Sequence, residues 1–387
     1  MKSKRILFLI IFSQFAGTSL WFAGNAIMPD LILEMGLQAS DIGSITSAVQ
    51  AGFIIGTLIF AITAVADRFS PSKVFFVCSI VGAVFNASIY WLPKDLTSVV
   101  ATRFLTGIML AGIYPIGMKI AADWYKDELG KAIGYLVGAL VLGTAFPSLI
   151  RALGSQLEWS VVLGSVSVLV CLGGLLVFLF IKDGPYRQPM SKFDPRAITT
   201  LFKSTGYRSA SLGYFGHQWE LYTFWAFVPT LLKHHVNSDS INVSLWTFLI
   251  IGSGALGSSI GGILSRSHGS AYVAWINLLG SAFCILLFPV FIQLPLSVFL
   301  CYLLVWGWLV VGDSPQFSAL AAMTTSKDQV GSGLTFMNCI GYSVSIVSIY
   351  IFNFLLSYID LDYAILFLLP GPVLALIAIY PLKKRQL

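Results

Sequence analysis

Along this chain, long apolar runs are separated by short polar breaks, and within the runs apolar and polar residues do not alternate. Crossing the ~30 Å hydrocarbon core of a bilayer takes roughly 20 predominantly apolar residues in a helix, and only helices or closed barrels satisfy the backbone there. These runs are too long and too uniformly apolar for barrel strands, so the pattern predicts membrane-spanning helices. They fall at 6–33, 42–66, 74–92, 98–122, 129–150 and 161–181, and again at 209–232, 245–264, 272–292, 297–323, 331–356 and 363–382. The polar stretch KDGPYRQPMSKFDPRAITTLFKSTGYR separates the two sets. The expected architecture is an all-α membrane protein of twelve helices: one six-helix bundle over 1–182, a linker over 183–208 and a second bundle over 209–387.

Composition narrows the reading further. A chain that is 57% hydrophobic and 10% charged cannot cover a globular surface, which needs roughly a quarter charged residues. Lys2, Lys4 and Arg5 precede an apolar run that reaches Leu33, too long for the apolar core of a signal peptide, so an uncleaved first span is expected. Cys78, Cys171, Cys284, Cys301 and Cys339 stand singly in apolar runs and read as packing residues.

The net charge of +6 matters less than its distribution. With both termini on the cytoplasmic side, Lys2, Lys4, Arg5, Arg68, Lys73, Lys131, Arg266, Lys383, Lys384 and the basic linker share that side, while Lys94, Lys233 and Arg151 remain opposite. This is the bias of the positive-inside rule. The excess charge is topological, and no nucleic-acid partner is expected.

Displacing the chain against itself by about 200 residues aligns Pro29 with Pro229, Gly52 with Gly252, Gly112 with Gly312, Pro115 with Pro315, and Ala121-Ala122 with Ala321-Ala322. Parallel repeats of this kind produce two bundles about a pseudo-two-fold axis along the membrane normal, with a polar site near the midplane.

Three motifs carry a resemblance. The segment from Thr63 to Lys73 holds Asp67-Arg68 and a terminal cation, the segment from Gly262 to Gly269 is a degenerate second copy around Arg266, and Arg103-Phe-Leu-Thr-Gly107 supplies an R-x-x-x-G element. With these motifs and the repeat, the chain resembles the major facilitator superfamily along essentially its whole length. The resemblance implies alternating access of two bundles, a pathway lined by spans one, four, seven and ten, and a gating role for Asp67 and Arg68. Asp67 would dock on the start of span eleven, since a helix N-terminus stabilises a carboxylate by roughly 0.3–1 kcal/mol. It also implies a bacterial inner-membrane location.

Ionisable groups in a bilayer are costly and usually functional. Of the 17 acidic residues, Glu220 and Asp313 lie well inside predicted spans, and both are candidates for carrying a coupling proton. His217 is one turn before Glu220, and Gln316 one turn after Asp313. Arg103 in span four and Arg151 at the outer end of span five are the candidate cations, Arg151 reaching either a cavity or the headgroups, and both expected opposite the two carboxylates. Tyr114 falls on the same face as Arg103, because eleven residues make almost three helical turns. Span one carries a polar and aromatic stripe of Gln14, Thr18, Trp21 and Asn25. Span seven adds Tyr222 and Trp225, and span eleven Asn338, Tyr342 and Ser345. The expected solute contacts are Trp21, Asn25, Arg103, Tyr114, Arg151, His217, Tyr222, Trp225, Gln316 and Asn338. His234-His235 read as solvated residues of an outer loop.

No G-x-x-x-x-G-K-[ST] phosphate loop or H-E-x-x-H pair occurs, so neither enzymatic chemistry nor a cofactor or metal is expected. The sequence therefore points to a monomeric secondary transporter, embedded in lipid, for a small anionic or zwitterionic solute with the proton as coupling ion. Two other readings stay open: export of hydrophobic drugs, suggested by 29 Phe and 10 Trp, and a non-transporting receptor or scaffold.

Overall fold

The computed structural model describes residues 2–92, 94–125, 129–154, 158–187, 193–235, 241–326 and 329–386, without the side chains of 2–4, 66–67 and 385–386. All regular structure among them is helical. Span two is Asp41–Thr63, three Pro71–Ser88, five Leu129–Leu153 and six Trp159–Phe180. Span seven is Thr205–His235, eight Val243–His268, nine Ser270–Phe291 and eleven Val330–Leu355. Span twelve runs through Leu361–Ala364, a 3-10 turn at Ile365–Leu368, and Pro370–Gln386.

Ten of the described helical segments are long and apolar enough to cross a membrane. The remaining two positions depart from the simple pattern for separate reasons. Span seven is 31 residues long but carries His217, Gln218 and Glu220. Span one is broken into Lys2–Thr18, Ala23–Ala26 and Met28–Met35, where the sequence suggested one helix over 6–33.

Spans four and ten are interrupted at matching places. Span four consists of Leu96–Leu110 and Tyr114–Trp124, and span ten of Leu296–Gly312 and Ser314–Met323. At each break a glycine is followed three residues later by a proline, which has no amide proton and crowds the carbonyl four residues back. The glycines are needed for close approach. A Cβ on Gly112 would overlap the Cys78 sulfur, and one on Gly312 would overlap the Asn277 side-chain oxygen. The break also corrects one expectation: Tyr114 does not continue the helical phase of Arg103, because three residues between them leave the helix.

The chain divides into two compact units, Met1–Met190 and Ser191–Leu387. In the first, spans two and four meet through glycine, so that a Cβ on Gly107 would overlap the Val49 carbonyl and one on Gly52 the Phe104 carbonyl. In the second, spans eight and ten repeat the device, with Gly307 against the Ile250 carbonyl and Gly257 against that of Trp308. Such small-residue contacts let backbones approach where lipid offers no hydrophobic drive.

The start of the polar linker is clipped to the first unit. Ser72 Oγ donates to the Ile181 carbonyl at 2.7 Å, Trp124 Nε1 to that of Lys182 at 2.9 Å, and Tyr186 N to that of Asp123 at 3.0 Å. Asp183 accepts from Ser70 Oγ at 2.6 Å and pairs with Arg187, which also donates to the Phe69 carbonyl. A Cβ on Gly184 would overlap the Asp123 carbonyl. Gly184→Ala is therefore expected to loosen the clip and raise the rate of tryptic cleavage after Lys182 and Arg187 by roughly fivefold, the factor that about 1 kcal/mol of local stability brings. Unchanged cleavage in a limited-proteolysis time course would contradict this.

His234 and His235 correct another expectation. The span-seven helix continues through both. His234 Nε2 lies 2.8 Å from Asp362 Oδ1, and His235 Nδ1 lies 2.7 Å from the Ile292 carbonyl, its ring stacked on Phe299 at 4.5 Å. Both lie in a helix rather than a loop, extended by packing against the ends of spans nine, ten and twelve; His234 is exposed, as expected, and His235 half-buried.

Candidate functional site

In the first unit the polar centre forms around Arg103, which is 0% exposed. Nη1 donates to Asn86 Oδ1 at 3.0 Å, and Nη2 donates to the Trp21 carbonyl at 2.9 Å and to the Leu20 carbonyl. Leu20 and Trp21 lie in the break of span one, where carbonyls lose their helical donors. Asn86 in turn donates to Ser167 Oγ at 3.1 Å and to the Leu163 carbonyl at 3.2 Å. Spans one, three, four and six are thus joined by one guanidinium and one amide. The sequence placed Arg103 opposite carboxylates, but its hydrogen bonds go to these neutral acceptors.

The neighbouring candidates on span one are also engaged. Asn25 Nδ2 donates to Thr46 Oγ1 at 2.7 Å, and the Trp21 ring lies 4.9 Å from that of Phe53. Gln14 Nε2 reaches the Tyr114 carbonyl at 3.4 Å, and Tyr114 itself is half-buried. Arg151 Nη2 meets Asp30 Oδ1 at 2.8 Å, both side chains under a fifth exposed. Arg151 thereby ties the outer ends of spans five and one. Arg68 is exposed, and the side chain of Asp67 lies outside the described residues.

In the second unit the polar centre is acidic. Asp313, the single residue between the two pieces of span ten, places Oδ1 2.8 Å from His217 Nδ1 of span seven, both side chains at most 3% exposed. One turn along span seven, Glu220 accepts from Trp306 Nε1 at 2.7 Å through one oxygen and from Ser281 Oγ at 2.9 Å through the other. The Ser281 hydroxyl has a second acceptor, the Leu278 carbonyl at 3.3 Å. If Glu220 takes a proton, this hydroxyl can turn to Leu278 and accept instead, so Glu220 can change charge without losing its partner. Beside these groups Tyr222 and Tyr342 join hydroxyls at 3.0 Å, with Trp225 edge-on to Tyr222 at 5.3 Å. Gln316 is buried and Asn338 half-buried.

The structure therefore brings His217, Glu220 and Asp313 together, and Tyr222 with Trp225. The partners that the sequence did not single out are Asn86, Ser281 and Trp306. A lone polar residue inside an apolar run was the available sign for Asn86 and Ser281; Trp306 gave none among the aromatics around it.

The family model described as Major Facilitator Superfamily matches residues 7–208, just over half of the chain. The chain belongs to the major facilitator superfamily. Its R-x-x-x-G element, Arg103 to Gly107, holds the broken first span through the arginine and the second through the glycine. Among curated superfamily relatives, the chain is 28% identical over 256 residues to the probable sulfoacetate transporter SauU of Cupriavidus necator, covering 60% of this chain and 57% of that protein. It is 22% identical over 253 residues to the probable L-galactonate transporter of Escherichia coli, covering 60% of this chain and 54% of that one. It is 27% identical over 207 residues to the 4-hydroxybenzoate transporter PcaK of Acinetobacter baylyi, covering 50% and 44%. The matched region spans about half the length of these relatives. The fold is shared with the xylose transporter XylE from E. coli in a partially occluded inward-open state, at a TM-score of 0.76 with 12% identity over 97% of this chain and 98% of that one. It is also shared with the human organic anion transporter MFSD10, at 0.72 with 15% identity over 98% and 99%. The superfamily and these neighbours are transporters rather than enzymes, and this chain is a multi-pass membrane protein.

Proposed function

We propose that this superfamily member is a secondary transporter that moves a small organic anion or zwitterion by alternating access and couples the movement to protons. It does so in a bacterial inner membrane with both termini cytoplasmic. The observation that carries the reading is the buried cluster of Asp313, His217 and Glu220, three ionisable groups in one helical unit, in which Glu220 can gain a proton without losing its serine partner. Support for the anionic solute comes from three relatives named for sulfoacetate, L-galactonate and 4-hydroxybenzoate, compounds that each bear a carboxylate. Glu220 and Asp313 carry the proton. Trp21, Asn25, Tyr222, Trp225, Gln316 and Asn338 supply aromatic and amide contacts to the solute. Arg103 is a positioning residue, holding the backbone that presents Trp21 and Asn25. Arg151 and Tyr114 support the bundle rather than the solute.

The test is uptake into proteoliposomes with sulfoacetate, L-galactonate and 4-hydroxybenzoate as labelled probes under an imposed pH gradient. Glu220→Gln and Asp313→Asn are each expected to lower gradient-driven accumulation at least about tenfold, the loss that roughly 1.4 kcal/mol of coupling represents, while counterflow exchange persists. Uptake of any probe that ignores the gradient would overturn the proton assignment. Movement of lipophilic cations but of none of the three anions would overturn the solute class.

A further inference from the structure

The repeat exposes a difference between the two halves at a contact they share. An offset of 200 residues places Gly17 opposite His217, and Ile113 opposite Asp313. In the first unit Ile113, fully buried in the break of span four, packs onto span one so tightly that a Cβ on Gly17 would overlap its Cγ2. In the second unit the same two positions, on span seven and in the break of span ten, carry the 2.8 Å pair of His217 and Asp313. A dry aliphatic contact at one hinge is replaced by a titratable pair at the other.

We infer that the His217–Asp313 pair is a proton-operated lock on the hinge of span ten, fixing the direction of Ser314–Met323 against span seven only while the pair holds one proton. For its place in a transport cycle the inference rests on the proton-coupled reading above. With one proton the pair is neutral overall, whether it is written as imidazolium and carboxylate or as imidazole and acid. Removing that proton strands a carboxylate, and adding a second strands an imidazolium, where both side chains are buried and an unpaired charge is costly. His217 Nε2 is buried and makes no hydrogen bond, so the other side of the ring cannot relieve the charge.

The hinge is built to move when the lock opens. The carbonyl of Asp313 accepts from Gln316 N at 3.0 Å and Phe317 N at 3.3 Å, starting the second piece of the span. Phe317 in turn lies 5.9 Å from the His217 ring. Glu220 on span seven acts electrostatically on both members of the pair. Tyr214 sits one turn before His217 with ring centroids 5.9 Å apart, Asn277 of span nine abuts Gly312, and Cys284 and Tyr302 face Glu220. His217 and Asp313 are positioning residues in this account; neither needs to touch the solute.

The test needs no solute. Hydrogen–deuterium exchange of the full-length protein in detergent is followed between pH 5 and 9 in peptides covering residues 306–320, after correction for the intrinsic pH dependence of amide exchange. Wild-type protection there is expected to change roughly tenfold across the range. His217→Gln and Asp313→Asn should each flatten the profile, Glu220→Gln should preserve it, and His217→Asp combined with Asp313→His should restore it. A flat wild-type profile overturns the lock. So does a wild-type profile in both single variants, or one abolished by Glu220→Gln alone. If the exchanged pair does not fold, the single variants decide. Uptake that ignores the pH gradient would remove the proton-coupled reading and leave a titrating hinge standing, whereas gradient-driven uptake with a flat hinge would do the reverse.

Discussion

Arg103→Leu is expected to destabilise the protein more than any change at the carboxylates, lowering the detergent melting temperature by more than about 5 °C, the shift that roughly 4 kcal/mol produces in a chain of this length. The substitution leaves Asn86 Oδ1 and the carbonyls of Leu20 and Trp21 buried without their donor. Each such orphan costs roughly 1–3 kcal/mol, so the three together approach a large fraction of the 5–15 kcal/mol that typically separates folded from unfolded protein. Arg103→Lys should fall between, because an ammonium supplies donors but not the planar fork that reaches two spans at once. Thermal unfolding monitored by size-exclusion fluorescence measures both. An Arg103→Leu protein melting within a degree or two of wild type would mean that the guanidinium does not hold span one.

The second large effect is expected at the glycine seams. Gly307→Leu and Gly107→Leu each force a Cβ into a backbone carbonyl, of Ile250 and Val49 respectively, and backbone cannot rotate away as a side chain can. Overpacking costs typically 1–3 kcal/mol and more where no side chain can give, so neither variant should yield a monodisperse peak. Gly164→Leu is the matched control: it also lies within a span, but a Cβ there meets nothing within 4 Å, and it should elute like wild type. Normal elution of either seam variant would show that the spans can part without loss of the fold.

The apolar runs showed the helices and the 200-residue repeat showed the two halves, because both are properties of hydropathy and spacing that local sequence records. The repeat also marked the breaks in spans four and ten, through Gly112 with Pro115 and Gly312 with Pro315. The first break in span one left no such mark, although the second is followed by Pro29. No proline lies within Ser19–Phe22, and the turn is held by Arg103 across 83 positions. The same separation explains the reading of Arg103: a sequence shows that a cation lies in oil but not that its partners are carbonyls released by a distant unwinding. Glu220 and Asp313 were visible as carboxylates out of place in apolar spans. Which donors hold them was not, since Trp306 is 86 residues from Glu220. The two histidines at the end of span seven were misplaced because their helix is extended by contacts with Asp362 and the Ile292 carbonyl, both remote in sequence.

The tie between Leu20 and Arg103 also constrains how the protein is made. The ribosome has synthesised the first span some 83 residues before the arginine that satisfies its freed carbonyls, an interval of roughly 4–17 s at 5–20 residues per second. During that time those oxygens lack the guanidinium that they share in the folded protein. The first span is therefore made well before it can settle, and its seat is completed only when the fourth has entered the bilayer.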